Sequence, residues 1–164
     1  MATRLKNLSD HSHTEIPSAA PYRFGIIVAE WNTEITGALY KGAFQTLIDH
    51  GAIGGNISTY NVPGSFELTS AADILLRQNS VDAVICLGCV IQGETRHFDF
   101  ICNAVANGLS NVAIKYSKPV IFGVLTTDNQ QQAVDRAGGK HGNKGDEAAI
   151  TAIKMAYFSV TLNK

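Results

Sequence analysis

Cysteine, net charge and long apolar runs are all scarce in this chain, and each shortage removes a class of explanation. Its 164 residues carry three cysteines, one tryptophan and a formal charge of -1. A near-neutral chain sets up no global field for nucleic acid, and no nucleic-acid partner is expected. No apolar run approaches the ~20 residues of a membrane span, so no membrane partner is expected either. Three cysteines, Cys86, Cys89 and Cys102, cannot all pair, and residues 1–21 lack the apolar core of an export leader. Both observations point to a reducing, cytoplasmic setting. Cys86 and Cys89 are spaced as a CxxC, but a redox pair places its first thiol at a helix start. Here both fall in a run that reads as a strand. With no second pair to complete a zinc site, no metal is expected.

What the chain does have is alternation. Residues 1–21 read as a flexible polar arm with His11 and His13, for which a solvated tail is a simpler reading than a metal site. Residues 22–164 read as one domain. Phe24–Ala29 is a continuous apolar run, as in a parallel strand covered on both faces. Ile35, Leu39, Ala43 and Leu47 then recur at helical spacing up to Gly51. Residues 56–62 read as a second strand, broken by Pro63-Gly64. Leu68, Ala72, Leu75 and Leu76 mark a second helix. Residues 81–91 are a third strand. Phe98, Ile101, Val105, Leu109 and Val112 mark a third helix, and residues 120–125 a fourth strand. Thr127 with Gln130 suggests a capping box opening a short helix that ends near Gly138-Gly139. A last helix runs from Lys144 to Phe158. Four strands alternating with helices predict a three-layer α/β/α sandwich around a four-stranded parallel sheet. Ligands of such sheets bind beyond the carboxyl ends of the strands.

The segments at those ends carry the chemistry. Gly88 and Gly93 have the spacing of a phosphate loop, but Glu94 stands where a nucleotide site needs lysine. Free amides at a helix start still favour an anion near Gly93, Glu94 and Thr95. A plain glycine turn with a threonine cap is the equal alternative. His97, at the same helix start, is either a proton-transfer group or a capping histidine. Residues 136–145 place Arg136, Lys140 and Lys144 among four glycines. Arg136 suits bidentate phosphate contact, or simply a helix C-terminus. Lys144 opens a helix, where a cation is electrostatically misplaced, and this favours a bound partner. Residues 62–67 form an open turn whose amides can meet a polar ring or sugar, while Glu67 also suits a helix start. Trp31 can stack on a flat ring, or be a core or interface aromatic.

Taken together, Trp31-Asn32, Val62-Pro-Gly-Ser-Phe-Glu67, the run from Leu87 to His97, Phe122 to Thr127 and Arg136 to Gly145 resemble the lumazine synthase family, from about Phe24 to Phe158. The resemblance implies a flavodoxin-like sheet and an enzyme without cofactor. It would condense two small molecules, 5-amino-6-(D-ribitylamino)uracil and 3,4-dihydroxy-2-butanone 4-phosphate, into 6,7-dimethyl-8-ribityllumazine on the way to riboflavin. It implies that Trp31 stacks over the pyrimidine. Asn32, Ser65, Phe66 and Glu67 would hold the ring and ribityl chain, and Val90 and Ile91 would border the ring. Lys144 would reach the ring carbonyl. Gly93, Glu94, Thr95 and Arg136 would cradle the phosphate, with His97 as proton shuttle. Phe122, Arg136 and Lys144 would come from a neighbouring subunit of a homo-pentamer. Some members stack pentamers into decamers or into hollow 60-mer shells, and the short turn at 138–143 resembles the shell-forming ones. Glu94 and Arg96 are bulkier than is common there, and Gly139 replaces a common threonine. A flavin carrier on the same scaffold, a related riboflavin synthase and a structural shell role are the competing readings.

Overall fold

The computed structural model describes residues 7, 9–11, 15–78 and 80–162. Four strands, β1 (Phe24–Ala29), β2 (Ile57–Val62), β3 (Ala83–Ile91) and β4 (Val120–Thr127), form one sheet in the order β2-β1-β3-β4. All neighbours are parallel. The central strands β1 and β3 are almost wholly buried, as their continuous apolar runs require. The edge strand β2 is half-exposed and correspondingly more polar.

Strand side chains alternate between two cores. Phe24, Ile26, Val28, Ile85 and Leu87 meet α1 (Thr33–Asp49) and α5 (Lys144–Thr161) on one face. Ile27, Val84, Cys86 and Val124 meet α2 (Leu68–Arg77) and α3 (His97–Tyr116) on the other. Each fully buried Leu or Ile in these layers contributes roughly 1.5–3 kcal/mol. The arrangement is a flavodoxin-like α/β sandwich. Gly145 fixes one layer closely: a Cβ there would collide with the Leu39 carbonyl, so α1 and α5 touch backbone to backbone.

Cys86 and Cys89 lie on opposite faces of β3, one in each core, and cannot join as a disulfide. Burial pushes both thiols up, Cys89 to about 11. They remain neutral packing groups.

Several local expectations need correction. Thr127 caps no helix; it ends β4, buried, with its carbonyl accepting from Gln92 N–H at 2.8 Å. The cap of α4 (Gln130–Val134) is Asn129, whose side chain accepts from Gln132 N–H at 3.0 Å. Gln132 reaches back to Asp128 N–H at 3.1 Å. The short helix stops at Val134, and a small hairpin, β5 (Ala137–Gly139) and β6 (Gly142–Asn143), fills the space before α5.

Before β1, Ala19 is fully buried and donates its N–H to the His50 carbonyl at 2.9 Å. Ser9 Oγ accepts from Asn143 N–H at 2.8 Å. His13 lies outside the described residues. Among the described residues, no helix is long and apolar enough to cross a membrane.

Candidate active site

The chain turns to β2 on one side of β1 and to β3 on the other, so the sheet's order reverses between β1 and β3. Such a reversal leaves a crevice at the carboxyl ends of the strands. A cavity of about 530 Å³ lies there, within the range of small-molecule sites. It gathers Trp31 and Asn32 from the end of β1, residues 63–67 from the end of β2, and Cys89, Val90 and Ile91 from β3. Gly93, Thr95, His97, Phe98 and Ile101 close the remaining side.

The rim is aromatic. Trp31 is 73% exposed and Phe66 55% exposed, unusual for such large apolar groups. Trp31 is held by its backbone, its N–H donating to the Pro63 carbonyl at 3.1 Å. This leaves the indole free to cover a flat ring.

Below the rim, Ser65 and Glu67 set polar groups into a largely apolar wall. Ser65 is 6% exposed, and its Oγ has no hydrogen-bond partner among the described residues. A buried hydroxyl left in that condition costs about 1–3 kcal/mol, which a bound ligand would recover. Gly88 makes its seat: a Cβ at that position would stand 2.5 Å from Ser65 Oγ. Glu67 starts α2 but makes no side-chain cap. Its carboxylate lies over Gly64, 3.1 Å from where a Cβ would be, and the residue lines the cavity.

At the far end, the N–H groups of Gly93, Glu94 and Thr95 make no hydrogen bond among the described residues. They precede the twenty-residue α3, whose positive end faces the same region. Thr95 Oγ1 accepts from His97 N–H at 3.4 Å, a long contact that caps the turn loosely. His97 is exposed and lines the cavity. Glu94 is exposed and is not part of the lining.

Phe122, Arg136 and Lys144 also stand outside the lining. Phe122 is on β4 and 36% exposed. Arg136 and Lys144 sit together at the base of the β5–β6 hairpin, where Lys144 N–H donates to the Arg136 carbonyl at 2.8 Å. The misplaced charge of Lys144 has a local answer: its Nζ meets Glu147 Oε1 at 2.7 Å, one turn along α5. Lys140 pairs with Asp135 at 2.9 Å. Of the three cations in this segment, Arg136 alone pairs with no carboxylate among the described residues. Its Nη1 donates to the Gln132 carbonyl at 3.0 Å.

Phe98, Ile101 and Cys89 belong to the crevice although the sequence did not mark them. Phe98 and Ile101 continue the apolar stripe of α3, and periodicity alone does not separate the stripe's core end from its crevice end. The visible signal was their position, Phe98 next to His97 and Ile101 one turn beyond it.

Residues 21–159 match the profile of the 6,7-dimethyl-8-ribityllumazine synthase family. The chain belongs to that family. It is similar to the 6,7-dimethyl-8-ribityllumazine synthase of Cytophaga hutchinsonii, 64% identical over 155 residues, which cover 94% of this chain and 97% of that one. That of Flavobacterium johnsoniae is 56% identical over 157 residues, covering 96% and 83% of the two chains. That of Porphyromonas gingivalis is 54% identical over 156 residues, covering 95% and 97%. The chain is therefore an enzyme, a transferase of riboflavin biosynthesis. It condenses 5-amino-6-(D-ribitylamino)uracil with 3,4-dihydroxy-2-butanone 4-phosphate to 6,7-dimethyl-8-ribityllumazine, releasing phosphate and water, in the pathway's penultimate step. The carrier and riboflavin-synthase readings lose their support with this membership.

Proposed function

We propose that the crevice at the ends of β1, β2 and β3 is where this condensation takes place, and that a neighbouring copy of the chain completes it. The pyrimidine lies under Trp31, bordered by Val90 and Ile91. Ser65, Phe66 and Glu67 hold the ring and its ribityl chain, with Asn32 in the same wall. The sugar phosphate's anion rests on the amides of Gly93, Glu94 and Thr95. Phe122, Arg136 and Lys144 come from the adjacent protomer, Arg136 to the phosphate and Lys144 to a ring carbonyl.

The chemistry then needs little beyond placement. The ring amine attacks the ketone carbon, and loss of water gives an imine. Phosphate departs with its C–O bonding pair as a proton leaves carbon, and the second nitrogen closes the ring with loss of another water. Holding both reactants in register can supply roughly 7–11 kcal/mol of such a bimolecular barrier. His97, beside the phosphate end, moves protons between nitrogen, carbon and the departing groups, for roughly a 10²–10⁴-fold gain.

The observation that carries this reading is the pairing of two incomplete halves. Among the described residues, the crevice has unbonded amides and an unpartnered Ser65 hydroxyl but no lysine or arginine lining it. Arg136 is a cation without a carboxylate among the described residues and outside its own chain's crevice. Exposed Ile74, Phe100 and Ile114, at 60%, 72% and 75%, add apolar surface suited to a ring of protomers. The working form in this reading is a cytoplasmic pentamer, open to further stacking into a shell; the exposed apolar surface supports association of copies.

Mixing both substrates with the protein and following lumazine fluorescence tests the reaction. Arg136→Ala tests the phosphate assignment. A lost charged hydrogen bond of about 1.5–3 kcal/mol raises KM for the sugar phosphate roughly ten- to a hundredfold. An unchanged KM for that substrate would overturn the assignment.

A further inference from the structure

The crevice exists because β1 stays with β2 longer than with β3. Pairing of β1 with β3 ends at Val28 and Leu87, whereas pairing with β2 runs on to Ala29 and Val62. It continues beyond the strand through Glu30 N–H to the Val62 carbonyl at 2.8 Å and Trp31 N–H to the Pro63 carbonyl at 3.1 Å. On the other side, β3 runs four residues past Leu87 with no β1 backbone beside it. One group crosses this gap. Asn32 Nδ2 donates to the Cys89 carbonyl at 3.0 Å.

Asn32 also turns the chain. Its φ of 62° and ψ of 47° are left-handed, a conformation that side chains other than those of Asn and Asp seldom adopt. Its carbonyl starts α1 by accepting from Ile35 and Thr36 N–H at 2.9 and 3.0 Å, while its side chain makes no cap. The residue therefore serves three structures at once: it sends Trp31 to the rim, starts α1, and occupies a β3 carbonyl that the departing strand has left.

We propose that Asn32 is a positioning residue that sets the width of the crevice, its amide standing in for the missing strand so that Trp31 and the Cys89–Ile91 wall keep the spacing of one flat ring. This rests on the active-site reading above. It differs from a ligand role: the amide acts through the protein wall, and its donor is already engaged when no substrate is bound.

The test uses the full-length enzyme and its one tryptophan, Trp31, as reporter. Asn32→Asp keeps the size and the left-handed turn but sets a carboxylate against a carbonyl. Asn32→Gly keeps only the turn, and carries the test if the aspartate variant does not fold. Three quantities are compared with wild type: Trp31 fluorescence anisotropy without substrate, KM for the pyrimidine, and the inhibition constant of a pyrimidine whose ribityl chain is replaced by butyl. We expect lower anisotropy, with KM and the inhibition constant both raised, each on the order of tenfold, as loss of one hydrogen bond allows. If anisotropy is unchanged and only the ribityl compound suffers, Asn32 is a sugar ligand and the proposal is wrong. If anisotropy falls while neither constant moves, the proposal fails together with the assignment of the reaction to this crevice.

Discussion

If each site joins the amides and His97 of one protomer to Arg136 of the next, two impaired enzymes should restore part of each other's activity. His97→Ala removes the proton shuttle, and Arg136→Ala removes the phosphate cation; each alone leaves every site in its own assembly defective. When the two are denatured together and refolded at equal amounts, each interface draws its two halves independently. About a quarter of the interfaces then pair an intact crevice with an intact Arg136. Assayed with the sugar phosphate well below its wild-type KM, activity should recover to about a quarter of wild type, above the roughly 1–10% left by the KM effect of Arg136→Ala and far above His97→Ala, which lacks the usual 10²–10⁴-fold gain. The assay is the initial rate of lumazine formation, with light scattering to confirm equal assembly in every mixture. Unrefolded mixtures serve as the control for exchange. If refolded mixtures stay at the parental level while assembling normally, Arg136 and His97 do not meet across an interface, and the shared site is refuted.

Other expectations follow from particular contacts. Gly88→Ala should destabilise the fold by roughly 1–3 kcal/mol of overpacking and raise KM for the pyrimidine, because its methyl displaces Ser65; thermal unfolding and steady-state kinetics check both. Asp73 accepts from Lys115 Nζ and Tyr116 Oη and pairs with Arg77, and these contacts, Lys115 foremost, hold its carboxyl below the usual range. A depressed carboxyl stabilises the fold above its unfolded pKa of about 3.9 and loses that contribution as pH falls through the lower folded value. Asp73→Asn should therefore lower Tm at neutral pH, and the gap to wild type should close below about pH 4. A gap that stays constant down to the acid limb would show that the pairing contributes nothing.

The parallel sheet was legible because β1 and β3 are buried on both faces, and only near-continuous apolar runs such as Phe24–Ala29 satisfy that. The loops at the strand ends were legible for a related reason: a parallel sheet sends its ligands there, and the fold brings Trp31, Ser65, Gly93 and His97, each ambiguous alone, to one cavity. Three details were hidden because they depend on contacts distant in sequence, on competition between equal candidates, or on the direction a long side chain takes. Thr127 looked like a helix cap, yet its carbonyl is claimed by Gln92, and Asn129 takes the cap instead. The glycines after Arg136 looked like a helix ending, but they form a hairpin whose Asn143 donates to the Ala38 carbonyl at 3.0 Å. Lys144 looked stranded at a helix start until Glu147, one turn later, was found against it. Phe98 and Ile101 illustrate a further limit: spacing reports which side of a helix is apolar, not whether protein or an open cleft lies against it.

The hairpin behind Arg136 is fastened on three sides, by Lys140 to Asp135, by Asn143 to α1, and by Gly145 pressed against Leu39. A loop so fastened has already given up its conformational freedom within the single chain. If, as proposed, one subunit offers its guanidinium to another, there is little left to freeze at the moment of contact, and more of the docking energy survives as affinity.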